Sequence, residues 1–232
     1  MSDDLEQNMN PDLSAPDDIA PTQEEVDIFA TAEEPINRIS RGDEINVTHK
    51  DPTLRTIDIG VGWDLKSFEE NPLDLDASVF LLDKNDLTRV DEDFVFYNST
   101  MGADGAVKHH GDNRTGAGDG DDEKITIELN TVPFEVVKIV FTLSIYDVDF
   151  QNHNFSMVKN VFFRISNQET NIELFRFELD EEVCSENEGL VIGYLERIGN
   201  EWVFHAVGET VKGGLYTIAK EYGIVIAEDA QA

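Results

Sequence analysis

Five carboxylates and one arginine fall within twelve residues between Asp112 and Glu123, in the run Asp-Asn-Arg-Thr-Gly-Ala-Gly-Asp-Gly-Asp-Asp-Glu. At neutral pH, Asp119, Asp121, Asp122 and Glu123 repel one another unless a cation lies among them or the side chains splay into water. Gly116, Gly118 and Gly120 let the backbone take positive φ, so that several oxygens could converge on one point. Calcium suits such a loop better than magnesium, since it accepts about 6–8 oxygens in loose geometry whereas magnesium demands near-octahedral order. Spacing alone leaves calcium and a solvated acidic turn open.

Asp112 and Glu123 occupy the first and twelfth positions of an EF-hand loop, but Arg114, Gly116 and Ala117 stand at the third, fifth and sixth. Two oxygen ligands and a glycine belong there, so that motif fails. The Gly-Ala-Gly-Asp run occurs once, without the period of a calcium-binding β-helix. Asp74-Leu-Asp76 places two further carboxylates on one side of an extended chain. They could be ligands delivered by a strand, or caps of a turn after Pro72. His109 and His110 precede the acidic loop and could suggest a transition metal or a general base, but neighbours on a strand face opposite ways. His153, in a polar loop, reads as a surface or capping side chain.

These groups must be held by a scaffold, and composition bounds what it can be. The formal net charge of −32 excludes a nucleic-acid binder, which needs clustered Lys and Arg. It also disfavours direct contact with anionic lipid unless a cation bridges the two surfaces. Cations are the expected partners. With Cys184 as the single cysteine no intrachain disulfide can form, and the fold rests on its core or on metal. No apolar run approaches the roughly 18 residues needed to span a bilayer, and the N-terminus lacks basic and hydrophobic signal regions. A soluble, cytoplasmic protein is expected.

Residues 1–37 contain eleven acidic residues, prolines at 11, 16, 21 and 35, and no Lys or Arg, the composition of a disordered acidic arm. Capping-box spacing between Thr22 and Glu25, with Val26, Phe29 and Ala30 on one face, predicts a short helix at 22–32 within it. From Arg38 the apolar residues alternate. Ile45 and Val47, then Ile57, Ile59, Val61 and Trp63, then Ile125, Ile127 and Leu129 predict strands buried on one face. Denser runs at 79–82, 94–97, 136–146 and 159–165 predict central strands covered on both faces. Turns are expected at 83–86, 103–105 and 198–200, and a last helix at 214–222 ending at Gly223. Many short strands with little helix predict an all-β fold, a β-sandwich with short helices over 38–226, followed by a tail at 227–232.

Several segments together resemble the TerD-like tellurium-resistance and stress proteins. They are Ile59-Gly-Val-Gly-Trp-Asp64, Asp74-Leu-Asp-Ala-Ser78, Asp93-Phe-Val-Phe-Tyr-Asn98, the run from Gly111 to Glu123, Ile145-Tyr-Asp147, Glu173-Leu-Phe-Arg176, Trp202-Val-Phe-His-Ala-Val-Gly208 and Gly213-Gly-Leu215. They stand in family order across roughly 38–226 and leave out the arm. The resemblance implies a β-sandwich that binds calcium at an acidic edge and takes part in tellurite resistance or general stress response without catalysis. By position it implies ligands from Asp74, Asp76, Asp112, Asp119, Asp121, Asp122 and Glu123, amide oxygens from Asn98 and Asn113, and a carbonyl such as that of Gly118. Seven acids exceed the needs of one calcium, so two ions are implied. The ordered loop would present a surface to another stress protein or to a second copy. One departure is Gly208-Glu-Thr-Val-Lys-Gly213, where the family usually has a glutamine-glycine pair after the first glycine. The alternatives are a metal-dependent hydrolase of phosphoesters, in which a carboxylate-held ion activates water, and a calcium-bridged membrane module.

Overall fold

The computed structural model describes residues 37–66, 73–111, 120–145, 153–179 and 185–225. The expected arm with its helix at 22–32, and the tail at 227–232, lie outside the described residues. Along the chain the strands are β1 (Arg38–Ile39), β2 (Glu44–Asn46), β3 (Thr56–Leu65), β4 (Leu75–Leu82), β5 (Phe94–Val95), β6 (Met101–Gly102), β7 (Val107–His109), β8 (Glu123–Glu128), β9 (Lys138–Ile145), β10 (Val158–Asn167), β11 (Glu173–Glu178), β12 (Gly189–Ile198) and β13 (Glu201–Val211). Among the described residues, two α-helices, α1 (Val47–Lys50) and α2 (Gly214–Glu221), accompany them.

The strands form two sheets. Sheet one has seven strands in the order β1-β11-β10-β3-β8-β7-β6, and sheet two has six in the order β2-β13-β12-β9-β4-β5. All described pairings are antiparallel except β1 on β11. The sheets meet through their apolar faces, as a sandwich requires. At the centre of the contact, Phe163 and Phe175 of sheet one pack on Phe141 and Phe204 of sheet two. The Phe163 and Phe204 rings stack at 5.2 Å between centroids, and Phe175 and Phe204 lie 4.8 Å apart.

The outer faces differ. That of sheet two is sealed by α2, where Leu215, Ile218, Ala219 and Tyr222 recur at i, i+3, i+4 and i+7. Ile218 and Ala219 join Phe80, Leu82, Phe94 and Val140 in a second buried cluster. Phe80 stacks on Phe94 at 4.5 Å, and Phe94 stacks on Phe96 at 4.4 Å. β4 is therefore buried at all its positions, as its unbroken apolar run implies. The helix stops at Gly223, whose φ of +88° suits a residue without a Cβ. The outer face of sheet one carries charge instead. Asp58 accepts a hydrogen bond from Thr126 at 2.6 Å and pairs with Lys124 at 2.8 Å.

Four expectations need correction. Val47 does not continue a strand, because the Asn46 side chain accepts a hydrogen bond from the His49 N–H and turns the chain into α1; Val47 still buries its side chain. The 94–97 run is an edge strand of two residues, not a central one, since Phe96 and Ser99 close a tight turn directly after it. Its apolar character comes from cover on both sides, Phe94 and Phe96 in the cluster with α2 and Val95 in the inter-sheet core. The 159–165 run is central in pairing but half-exposed on its outer side, where none of the described helices covers sheet one. His153 is buried at 7% exposure rather than on the surface.

Candidate functional site

Pairing registers bring the ends of β3, β7, β9 and β11 and the starts of β4, β8, β10 and β12 to one end of the sandwich. Asp74 precedes β4 by one residue and Asp76 lies within it, 4% exposed; Asp122 immediately precedes β8 and Glu123 opens it, at 9% and 2%. Asp112, Asn113, Gly118 and Asp119 lie outside the described residues. Among the described residues, no three acid, histidine or cysteine side chains stand close enough to hold a metal ion.

Glu123 ties the two sheets together. Among the described residues β5 pairs only with Val79 and Phe80, and no described strand continues the ladder beside Ala77 on that edge of β4. Side chains from sheet one take the place of the missing strand. The Ala77 N–H donates to Glu123 Oε2 at 2.5 Å, and His109 Nε2 lies 3.2 Å from the Ala77 carbonyl oxygen and 3.5 Å from Glu123 Oε2. The Gly111 N–H donates to His109 Nδ1 at 3.1 Å. That nitrogen therefore carries no proton, and Nε2 is the donor. His110 faces the other way, 2.8 Å from Thr126 on the outer face, as expected of strand neighbours.

Asp122 ends the pairing of β8 with β3. Its N–H donates to the Val61 carbonyl at 2.8 Å, and its Oδ2 accepts from the Trp63 N–H at 2.8 Å, where a backbone carbonyl would have continued the ladder. Burial, and secondarily the charges of Asp64 and Asp121, pushes its carboxyl above the ordinary aspartate range against the pull of the Trp63 N–H. The folded chain therefore holds this proton more tightly than the unfolded one. The stability it contributes is present below the unfolded value, about 3.9, and is lost as pH rises through the folded value. Asp122→Asn keeps an acceptor for Trp63 and removes the titration. In a chelator, its urea midpoint should fall less than that of the wild type as pH rises from 4 towards neutrality, measured as ~half-unit steps.

Asp121 points to the outer face of sheet one. Its two oxygens meet Arg164 Nε at 2.6 Å and Nη2 at 2.7 Å, a fork on a fork. Asn98 is exposed in the turn closed by Phe96 and Ser99. The structure thus brings Glu123 to the backbone beside Asp76 and sets Asp122 next to it in the chain, while Asp121 turns away to Arg164. Sequence reading missed the role of Arg164. Its signal was a charged side chain inside the apolar run Val161-Phe-Phe-Arg-Ile165, which requires a partner.

The fold and its acidic end define a two-sheet sandwich with buried carboxylates at the strand ends. Residues 36–222 match the TerD domain. The chain is 41% identical over 186 residues to tellurium resistance protein TerD of Serratia marcescens, covering 80% of this chain and 96% of that protein. It is likewise 41% identical over 189 residues to general stress protein 16U of Bacillus subtilis (strain 168), covering 81% and 97%. In fold it is similar to the crystal structure of a Streptomyces coelicolor A3(2) homologue of telluride resistance protein, with a TM-score of 0.59 at 19% identity, covering 75% of this chain and 99% of that one. The chain belongs to the TerD family.

Proposed function

We propose that this protein is a non-catalytic calcium-binding member of the TerD family, acting in tellurite resistance or general stress response. The observation that carries this reading is the gathering of buried carboxylates at one end of the sandwich, where Asp76, Asp122 and Glu123 are each at most 9% exposed. Oxygen donors of this kind fit a hard cation such as calcium. Relatives named for tellurium resistance and for general stress support the broader role. Asp74, Asp76, Asp122 and Glu123 would contribute from the described strand ends, with Asp112, Asn113, Gly118 and Asp119 from the loop between. A bound ion would offset the mutual repulsion of these groups and present an ordered surface to another protein or a second copy. Among the described residues no helix is long and apolar enough to cross a membrane.

Calcium that binds only the folded protein should stabilise it by about 2.7 kcal/mol at a hundredfold excess over Kd. Thermal melts of the full chain in chelator, in calcium and in magnesium test this, with titration calorimetry giving stoichiometry. Superimposable melts in chelator and in millimolar calcium would sink the proposal.

A further inference from the structure

We propose that Arg164 is a positioning residue for the acidic end, and that Asp121 is its strut rather than a cation ligand. The inference rests on the calcium-binding reading for its functional consequence and on geometry for its mechanism. Residues 120 and 121 cross the outer face of β3, which is bare where they pass. A Cβ on Gly60 would lie 2.2 Å from the Asp121 carboxyl carbon, and one on Gly62 would lie 3.0 Å from the Gly120 carbonyl oxygen. Gly120 itself has φ +125°, a conformation that side chains resist. The two glycines form a cradle, and the Asp121 carboxylate lies in it to reach β10, the strand on the far side of β3 from β8.

Arg164 is itself held. Its Nη1 meets Glu173 at 3.4 Å, Glu173 pairs with Arg176 at 3.1 Å, and Arg176 lies over the Phe162 ring at 4.3 Å. That ring in turn fills the space beside Gly62. The fork on Asp121 is therefore fixed from both sides, and both of its carboxylate oxygens are engaged. Fixing Asp121 fixes its neighbours. Asp122 meets Val61 and Trp63, and Glu123 meets Ala77, only while the 120–123 segment keeps this path. Arg164 acts on the cation through this segment, as an outer partner that orients groups it does not replace.

A strut and a competing ligand give opposite signs. If Asp121 were a ligand sequestered by Arg164, removing the arginine would free a carboxylate and remove a positive charge, and calcium would bind more tightly. If Asp121 is a strut, removing Arg164 loosens Asp122 and Glu123, and binding weakens by about tenfold or more, the usual effect of losing such a partner. The experiment uses the full chain as wild type, Arg164→Lys, Arg164→Met, Asp121→Asn and the double Arg164→Met/Asp121→Asn. Calcium affinity comes from calorimetry, and amide exchange at Trp63 and Asp122 is followed in chelator. The expected order of affinity is wild type, then Arg164→Lys, then Arg164→Met. Lysine keeps the charge but not the fork, so it rescues in part. Asp121→Asn should match Arg164→Met, and the double variant should lose no more than either, because both remove one interaction.

Calcium binding by Arg164→Met as tight as wild type, or tighter, would overturn the inference. Should the wild type itself bind no calcium, the proposed function fails, and the exchange data decide the inference alone. Faster exchange at both amides in Arg164→Met and in Asp121→Asn supports the strut, and unchanged exchange overturns it.

Discussion

Arg89→Met should lower folding stability by about 3–5 kcal/mol, because it leaves a buried carboxylate without its counterion. The Asp93 side chain is 1% exposed, and Arg89 reaches both of its oxygens, Nε to Oδ2 and Nη2 to Oδ1, each at 2.8 Å. The Arg89 N–H adds a third contact at 3.1 Å. Those hydrogen bonds hold the guanidinium firmly protonated. The pair locks residues 89–93 as they lead into β5, the short edge strand beside β4. Urea denaturation in chelator should show the loss as a lower midpoint with an unchanged slope. Arg89→Met combined with Asp93→Leu should recover much of it, since an apolar pair of similar volume has no stranded charge. Equal midpoints for the single and double variants would refute the assignment.

Phe204→Ala should cost a similar amount, about 3–5 kcal/mol. Phe204 is fully buried and contacts rings of both sheets, Phe163 and Phe175 on one side and Phe141 at 6.4 Å between centroids on its own sheet. Removing it opens a void where the two sheets meet, and three neighbouring rings cannot all collapse into it. Phe134 provides the internal control, because it is 83% exposed in the turn between β8 and β9. Phe134→Ala should stay within about 0.5 kcal/mol of the wild type. Thermal melts of the two variants side by side make the comparison, and comparable losses would mean that the inter-sheet cluster is not the centre of the core.

Periodicity read the burial of most strands but says nothing of what does the covering. The apolar run at 79–82 was legible as a strand covered on both faces, and the helix at 214–222 was legible from its spacing and its terminal glycine. That the second covers the first was not, because the contact spans more than a hundred residues of chain. The same gap explains the 94–97 run. Phe94 and Phe96 join the cluster under the helix while Val95 enters the inter-sheet core, so an edge covered on both faces looked central. At 159–165, alternation was masked by Phe162, an aromatic on the wet face that packs against Arg176.

The candidate site was legible as a place and less so as an arrangement. A twofold strand repeat would set Asp121 and Glu123 on one face. In the structure they part, because Gly120 turns the chain before Asp121 and sends its carboxylate across β3. Glu123 was nominated as a ligand, but its contact with the backbone of Ala77 joins residues 46 positions apart and has no sequence signature. His109 could be placed on the opposite face from His110, yet its hydrogen bond to Ala77 depends on how far β5 extends, which no local pattern announces.

The hairpin of β12 and β13 carries a practical consequence. Its strands run ten and eleven residues from the acidic end to the two-residue turn at Gly199 and Asn200. At roughly 3.3 Å per residue that is a separation of about 30 Å, several times the Debye length of ~8 Å at physiological ionic strength. A fluorophore or affinity handle grafted at that turn would be electrostatically silent towards any ion at the far end. The molecule therefore offers a natural attachment point for immobilised or single-molecule measurements of cation binding.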